Sequence, residues 1–228
     1  MPAFVDYVSE ELQDKSSTIG ALKQGSKAWF EQRHGRVTAS IAKNVVKFTK
    51  YHTADNYLTK TVLGNYVQID TKPMKHGRYW EPVGRKLLVE QLQETHDNVQ
   101  CKDVGLIVAH DTPYVAASPD GIVSCDCHGD SVLEVKTTWK HWSAAWDDIK
   151  KDKKYHFTEE GKLKADSSWM WQIQCQMGAC ELKTAHFVFV HGNGKEIYHE
   201  IIEFNQEQWD TICSKSAEFF KKCTLPFL

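Results

Sequence analysis

Asp120, Glu134 and Lys136 are the residues whose types and spacing point most directly to chemistry. Asp120 lies in Ala117-Ser118-Pro119-Asp120-Gly121-Ile122-Val123, and the other two lie in Ser131-Val132-Leu133-Glu134-Val135-Lys136-Thr137. Both stretches read as strands, and the Cys/Asp/His/Gly run over residues 124–130 supplies turn chemistry for a hairpin between them. Side chains two apart on a strand point the same way, so Glu134 and Lys136 share a face while Val135 takes the other. With hairpin pairing, Asp120 on the first strand sits beside them. Two carboxylates and an ammonium at one spot are costly to bury, because like charges raise each other's pKa and desolvation adds to the penalty. A hard cation removes that conflict. Magnesium takes oxygen ligands from a few carboxylates and keeps several waters, which serve as nucleophiles in phosphoryl chemistry.

The elements that must position this hairpin follow from periodicity and turn residues. Residues 25–33 read as a short helix, capped by Ser26 and stopped at Gly35. A second helix is expected over residues 38–48, which brings the Ser40 hydroxyl and backbone amides to a helix start, where an anion fits. Residues 53–63 read as another helix. Pro82 suits only a first turn, so the next helix is expected to start near Trp80 or Glu81 and reach about His96. Residues 99–110 read as one strand. Residues 167–182 read as a helix with Trp169, Ile173, Met177 and Cys180 on an apolar stripe and Gln172 and Gln176 beside it. Two strands, 185–191 and 196–204, are joined by a Gly-Asn-Gly turn and precede a last helix capped by Asn205. The expected fold is α/β, a central mixed β-sheet flanked by helices.

The Pro-Asp … Glu-x-Lys pattern resembles the core of the PD-(D/E)xK nucleases, and its form here is similar to the phage lambda exonuclease, or YqaJ-type viral recombinase, branch. The likeness extends from about Gly25 to about Met177. It includes Gln24-Gly25 … Trp29 … Arg33-x-Gly35 … Thr38-Ala39-Ser40, then Gly77-x-x-x-Glu81-Pro82, then Gln172-Ile173-Gln174. The resemblance implies a restriction-endonuclease-like core in which Asp120, Glu134 and the Val135 carbonyl hold Mg2+, with Mn2+ able to substitute. It adds Glu81 as a third acid, binding the metal directly, through water, or by sharing a second ion. Lys136 then orients or deprotonates the attacking water, and Gln172 supports that water or the phosphate. Arg33, Ser40 and Ser118 are implied as ligands of a DNA terminal 5′-phosphate. The implied activity is 5′-to-3′ digestion of double-stranded DNA ends to 5′-mononucleotides, by a homotrimer with a single-strand-annealing partner in recombination.

Composition bounds these expectations. The chain has 228 residues, 41% of them hydrophobic, with no Pro/Gly/Ser-rich linker, so one domain is expected: a phosphate-binding segment over about 25–40, a catalytic core over 77–182, and a hairpin and helix over 183–228. The net charge is −2, so any nucleic-acid site must be local. Trp139, Trp142 and Trp146 with the lysines of residues 150–154 offer such a flank, or else an amphipathic helix with buried tryptophans. Seven cysteines, odd in number and without a CxxC pair, suit a reducing compartment. An acidic N-terminus and the lack of any ~20-residue apolar run suit a soluble, intracellular protein without a membrane partner. Cys125-Asp126-Cys127-His128 has metal-binding residue types but no fourth partner at the usual spacing, and reads as a mobile hairpin tip. Two other readings fit the same residues: a Mg2+-dependent endonuclease and a non-catalytic DNA-end binder.

Overall fold

A computed structural model describes residues 22–51, 56–64 and 70–228. In chain order the first elements are α1 (Lys27–Arg33), β1 (Val37–Thr38), a 3-10 turn (Ala39–Ile41), α2 (Ala42–Val46), α3 (Tyr57–Val62) and α4 (Lys72–Gln93). Five strands follow: β2 (Gln100–Lys102), β3 (Ile107–Val108), β4 (Val115–Ala117), β5 (Gly121–Cys125) and β6 (Gly129–Thr137). The chain ends with α5 (Trp146–Lys151), α6 (Ser168–Cys180), β7 (Thr184–His191), β8 (Glu196–Glu203) and α7 (Gln206–Phe219).

The main sheet has the order β2-β5-β6-β7-β8, antiparallel except for the parallel β6–β7 pair. Its centre is apolar on both faces, as a parallel pair covered on both sides requires. Leu133 and Val135 of β6 join Val188 and Val190 of β7 against Leu88 and Leu92 of α4. On the other face Val132, Phe187 and Phe189 pack with Ile173 and Met177 of α6. The strand period of two therefore turns Glu134 and Lys136 toward α6. A smaller sheet has the order β1-β4-β3. Among the described residues no helix is long and apolar enough to cross a membrane.

The α/β fold and mixed sheet are as expected, but several boundaries move. Ala117 ends β4 in the small sheet, so Ser118, Pro119 and Asp120 form a connection, and Asp120 lies just before β5 instead of inside a strand. Its N–H still donates to the Leu133 carbonyl at 3.0 Å, continuing the ladder by one rung. Residues 99–110 are two strands in two sheets. The break falls at Gly105, where a Cβ would meet the Leu22 carbonyl oxygen at only 2.1 Å, so the chain crosses between sheets where no side chain fits.

Helix α4 begins eight residues before Trp80, capped by Thr71, and Pro82 is interior. The ring does remove one backbone bond, but His76 and Trp80 pack against Trp142 at 4.4 and 4.7 Å between ring centroids and hold the preceding turns. Tertiary packing thus overrides the local signal. The helix expected over residues 38–48 is a two-residue strand, a 3-10 turn and the short α2, because Val37 and Thr38 pair with Val115 and Ala116. The described part of the helix expected over 53–63 starts at Tyr57, capped by Asn56, whose side chain accepts from the Thr59 N–H; residues 53–55 lie outside the described residues. Ser26 and Asn205 cap their helices as expected.

Candidate active site

Glu134 is 1% exposed, yet neither carboxylate oxygen is bare. Oε1 lies 2.5 Å from Lys136 Nζ and accepts from Gln172 Nε2 at 2.6 Å, while Oε2 accepts from Gln176 Nε2 at 2.6 Å. The strand supplies the acid and the amine two residues apart, and α6 supplies both amides four residues apart on one face. Asp120 Oδ2 accepts from the Val135 N–H at 2.7 Å, which sets its carboxylate between the Glu134 and Lys136 positions. The Arg85 guanidinium clamps the Asp120 carbonyl and also pairs with Asp103.

Burial, then the charges of Glu134 and Glu81, push the Asp120 carboxyl well above the usual carboxylate range. Glu81 is raised as well, by burial and then by Glu134, against the pull of Arg85 and Lys136. For Lys136 burial acts downward, but Glu134, Asp120 and Glu81 outweigh it and raise the ammonium's pKa. Three acids thus crowd one lysine in a cleft of about 330 Å3 that Glu81, Asp120, Glu134, Val135, Lys136 and Gln172 all line. An all-oxygen donor set with uncompensated negative charge fits a hard divalent cation.

A second cavity, of about 190 Å3, is lined by Trp29, Arg33, Thr38, Ser40, Ser118 and Gln172 among others. The Arg33 guanidinium lies 4.0 Å over the Trp29 ring and donates to Thr38 Oγ1 at 3.3 Å. Trp29 Nε1 donates to Ser118 Oγ at 2.9 Å, which leaves the Ser118 proton available to an acceptor in the cavity. Thr38 and Ser40 hydroxyls stand 3.5 Å apart. Arg33, Thr38 and Ser40 also line a wider opening of about 820 Å3 with Phe30, Ile41 and Met74. A guanidinium, several hydroxyls and an open mouth are donor chemistry that suits an oxyanion such as phosphate. Ser40 sits in the 3-10 turn, so the side-chain donors replace the helix-start amides expected for it.

The fold therefore brings Arg33, Ser40 and Ser118 into one cavity, brings Asp120, Glu134, Lys136 and Glu81 into another, and puts Gln172 on the wall of both. Sequence reasoning missed Gln176, which is fully buried against Glu134. The four-residue step from Gln172 to Gln176 along a helix face was the available signal. It also missed Arg85 and Thr38. Gln174 holds the start of α7 by donating to the Glu203 carbonyl and accepting from the Asn205 N–H. The basic run is largely neutralised: Lys140 meets Asp152, Lys150 meets Asp147, Lys151 meets Asp148 and Lys153 meets Glu159. Trp146 is packed against Phe157 and Tyr198, whereas Trp139 is 54% exposed at the mouth of the acidic cleft.

The model of the YqaJ-like viral recombinase domain matches residues 28–183, a span that runs from α1 to the residue before β7 and includes the acidic cleft and, apart from Gln24, the lining of the Arg33 cavity. The chain belongs to the YqaJ-like viral recombinase family. This YqaJ-like domain is similar in structure to an alkaline exonuclease, LHK-Exo, from Laribacter hongkongensis, with 26% identity, a TM-score of 0.62, and coverage of 86% of this chain and 91% of that one. It also resembles a phage related exonuclease from Haemophilus somnus 129PT, at 13% identity and a TM-score of 0.53, covering 84% of this chain and 96% of that one. The shutoff and exonuclease protein of Kaposi's sarcoma-associated herpesvirus shares the fold at 11% identity and a TM-score of 0.54, covering 93% and 73% of the two chains. Comparison with curated protein sequences finds no match. The restriction-endonuclease-like core expected of the chain is borne out, and family and fold together support a nuclease or recombinase function.

Proposed function

We propose that the chain is a divalent-metal-dependent exodeoxyribonuclease that degrades linear double-stranded DNA from its 5′ ends to 5′-mononucleotides, in DNA recombination or end processing. The observation that carries this reading is the shared wall at Gln172, which puts a phosphate-sized cationic cavity next to the acidic cleft. A terminal 5′-phosphate held by Arg33, Ser40 and Ser118 leaves the neighbouring phosphodiester beside the carboxylates. An internal-site cutter has no need of such a pocket. LHK-Exo, 24% identical in its dAMP complex, was solved with a nucleoside monophosphate bound.

Asp120, Glu134, the Val135 carbonyl and Glu81 would hold Mg2+ or Mn2+, as one ion or two. Such a cation supplies an activated water and neutralises charge on the phosphate. The residues do the rest. Gln172 and Gln176 fix the Glu134 carboxylate. Lys136, held as an ammonium by its three acidic neighbours, donates to the water or to a phosphate oxygen instead of taking a proton, so its role is orientation and charge stabilisation. Trp29 stacks under Arg33 and orders its guanidinium for bidentate phosphate contact. The resemblance extends the proposal to a homotrimer and an annealing partner, for which sedimentation and co-purification are the respective tests.

Linear duplexes labelled at either end, with 5′-phosphate or 5′-hydroxyl, are incubated beside covalently closed circles with and without Mg2+. The proposal expects the 5′ label to be released first, the phosphorylated end to be preferred, and circles to survive. Cut circles would indicate the endonuclease instead. End binding without Mg2+-dependent turnover would leave only the binder.

A further inference from the structure

A second group of metal-ligating side chains lies outside the acidic cleft, where α4 ends beside the β5–β6 tip. His96 follows α4, while Cys125 and His128 flank the turn, and one ligand atom from each lies within 4.8 Å of the other two. Cys125 Sγ and His128 Nδ1 are 3.7 Å apart. Tetrahedral zinc, with bonds of about 2.0–2.3 Å, spaces its donors by roughly 3.3–3.8 Å. The triangle needs only a small contraction.

The second observation concerns His96. Its Nδ1 lies 3.2 Å from the Leu92 carbonyl oxygen and 2.8 Å from Thr95 Oγ1. In the tautomer that donates from Nδ1 to this carbonyl, Nε2 keeps its lone pair. That is how a metal-binding imidazole is held, with its other nitrogen donating to the backbone. On the adjoining strands His186 Nδ1 and His199 Nε2 meet at 2.9 Å, adding two more imidazoles to the neighbourhood. A thiol with imidazoles is borderline-soft chemistry and selects late first-row divalent ions, unlike the all-oxygen cleft.

We propose that His96, Cys125 and His128 bind one zinc-class ion, with water in the fourth position, clipping the hairpin tip to the end of α4. As the sulfur–metal bond forms, the Cys125 thiol proton passes to solvent. The clip ties together the two elements that deliver the acids, since α4 carries Glu81 and the hairpin carries Glu134 and leads out of Asp120. The β5–β6 tip itself offers only Cys125, Cys127 and His128 as thiol or imidazole groups. The third fold partner comes from the end of a helix about thirty residues earlier in the chain, as the numbering of His96 records.

The full chain, freed of metal and held in excess Mg2+ to fill the oxygen cleft, is titrated with Co2+. One equivalent should give a near-ultraviolet thiolate-to-cobalt charge-transfer band with visible d–d bands, both erased by Zn2+. The band should vanish in Cys125→Ser, need at least tenfold more Co2+ in His96→Ala or His128→Ala, and persist in Cys101→Ser. No thiolate band in the unaltered chain, or an equal band in Cys125→Ser, overturns the proposal. His128 is exposed, so His128→Ala should fold. Zn2+ in excess Mg2+ should raise the melting temperature of the unaltered chain and not of that variant, and equal shifts in both would also overturn it. None of these readouts depends on nuclease turnover.

Discussion

At the scale of single residues, Glu134 is the group on which the site turns, because three donors converge on one buried carboxylate. Charge-assisted hydrogen bonds of this kind contribute about 1.5–3 kcal/mol each. Gln176→Leu should therefore lower kcat by about 10- to 100-fold, since every 1.4 kcal/mol is roughly tenfold, while KM for linear DNA stays near its original value. Steady-state assays that find a changed KM and an unchanged kcat would instead make Gln176 a packing residue. Lys136→Ala should keep DNA-end binding in a filter or fluorescence assay and lose at least about 100-fold in turnover, in the range assigned to a positioned proton-bearing group. An active Lys136→Ala enzyme removes the role given to that ammonium.

At the scale of elements, the position of Glu81 depends on how closely α4 lies on the sheet. A Cβ on Gly84 would meet Val135 Cγ1 and Val190 Cγ2 at 2.7 Å, whereas one on Gly77 meets nothing within 4 Å. Gly84→Ala should destabilise the fold by about 1–3 kcal/mol through overpacking and lower activity by shifting Glu81. Gly77→Ala should be neutral or gain about 0.5–1 kcal/mol in thermal melts, because alanine favours the helix. The start of α6 carries a pH dependence of its own. His156 stacks on Trp169 with centroids 3.5 Å apart and meets Ser167 Oγ, the cap of α6, at 2.7 Å. Burial, then the charges of Lys136, Lys43 and Lys164, lowers His156 to about 4. The unfolded chain then binds the proton more readily than the folded one. This contribution to stability is full above the ordinary histidine range and is lost as pH falls toward 4. Melting temperature should drop over that window, and His156→Phe, which keeps the ring stack, should reduce the slope relative to the unaltered chain.

At the scale of the whole molecule, a net charge of −2 leaves any attraction for DNA to local features, and in the proposed function the Arg33 cavity supplies it while the acidic cleft needs a bound cation before a phosphate can approach. In that proposal metal binding and stability are linked. The raised pKa values of Asp120 and Glu81 mean that the metal-free folded state favours their protonated forms. Stability of the metal-free chain falls as pH rises above the ordinary carboxylate range. Asp120→Asn should raise the melting temperature at neutral pH in the presence of chelator and weaken the further rise produced by Mg2+ or Mn2+ in the unaltered chain. Differential scanning calorimetry with and without metal reads both effects, and an unchanged metal response in Asp120→Asn would separate Asp120 from the metal.

What residues within a few positions of one another do was legible from the chain. The strand period fixed Glu134 and Lys136 to one face, the helix period set Gln172 and Gln176 on one side of α6, and Ser26 and Asn205 marked helix starts, because covalent geometry sets those relations. Contacts between distant segments were decided by packing. Only the tertiary structure closed Gln176 onto Glu134, carried α4 through Pro82 on the edge-on and tilted ring contacts of His76, Trp80 and Trp142, and divided residues 99–110 between two sheets at Gly105. Only it set His96 beside the Cys125–His128 tip. Each of these depends on which surfaces meet once the apolar faces of β6 and β7 are covered, and no local propensity holds that information.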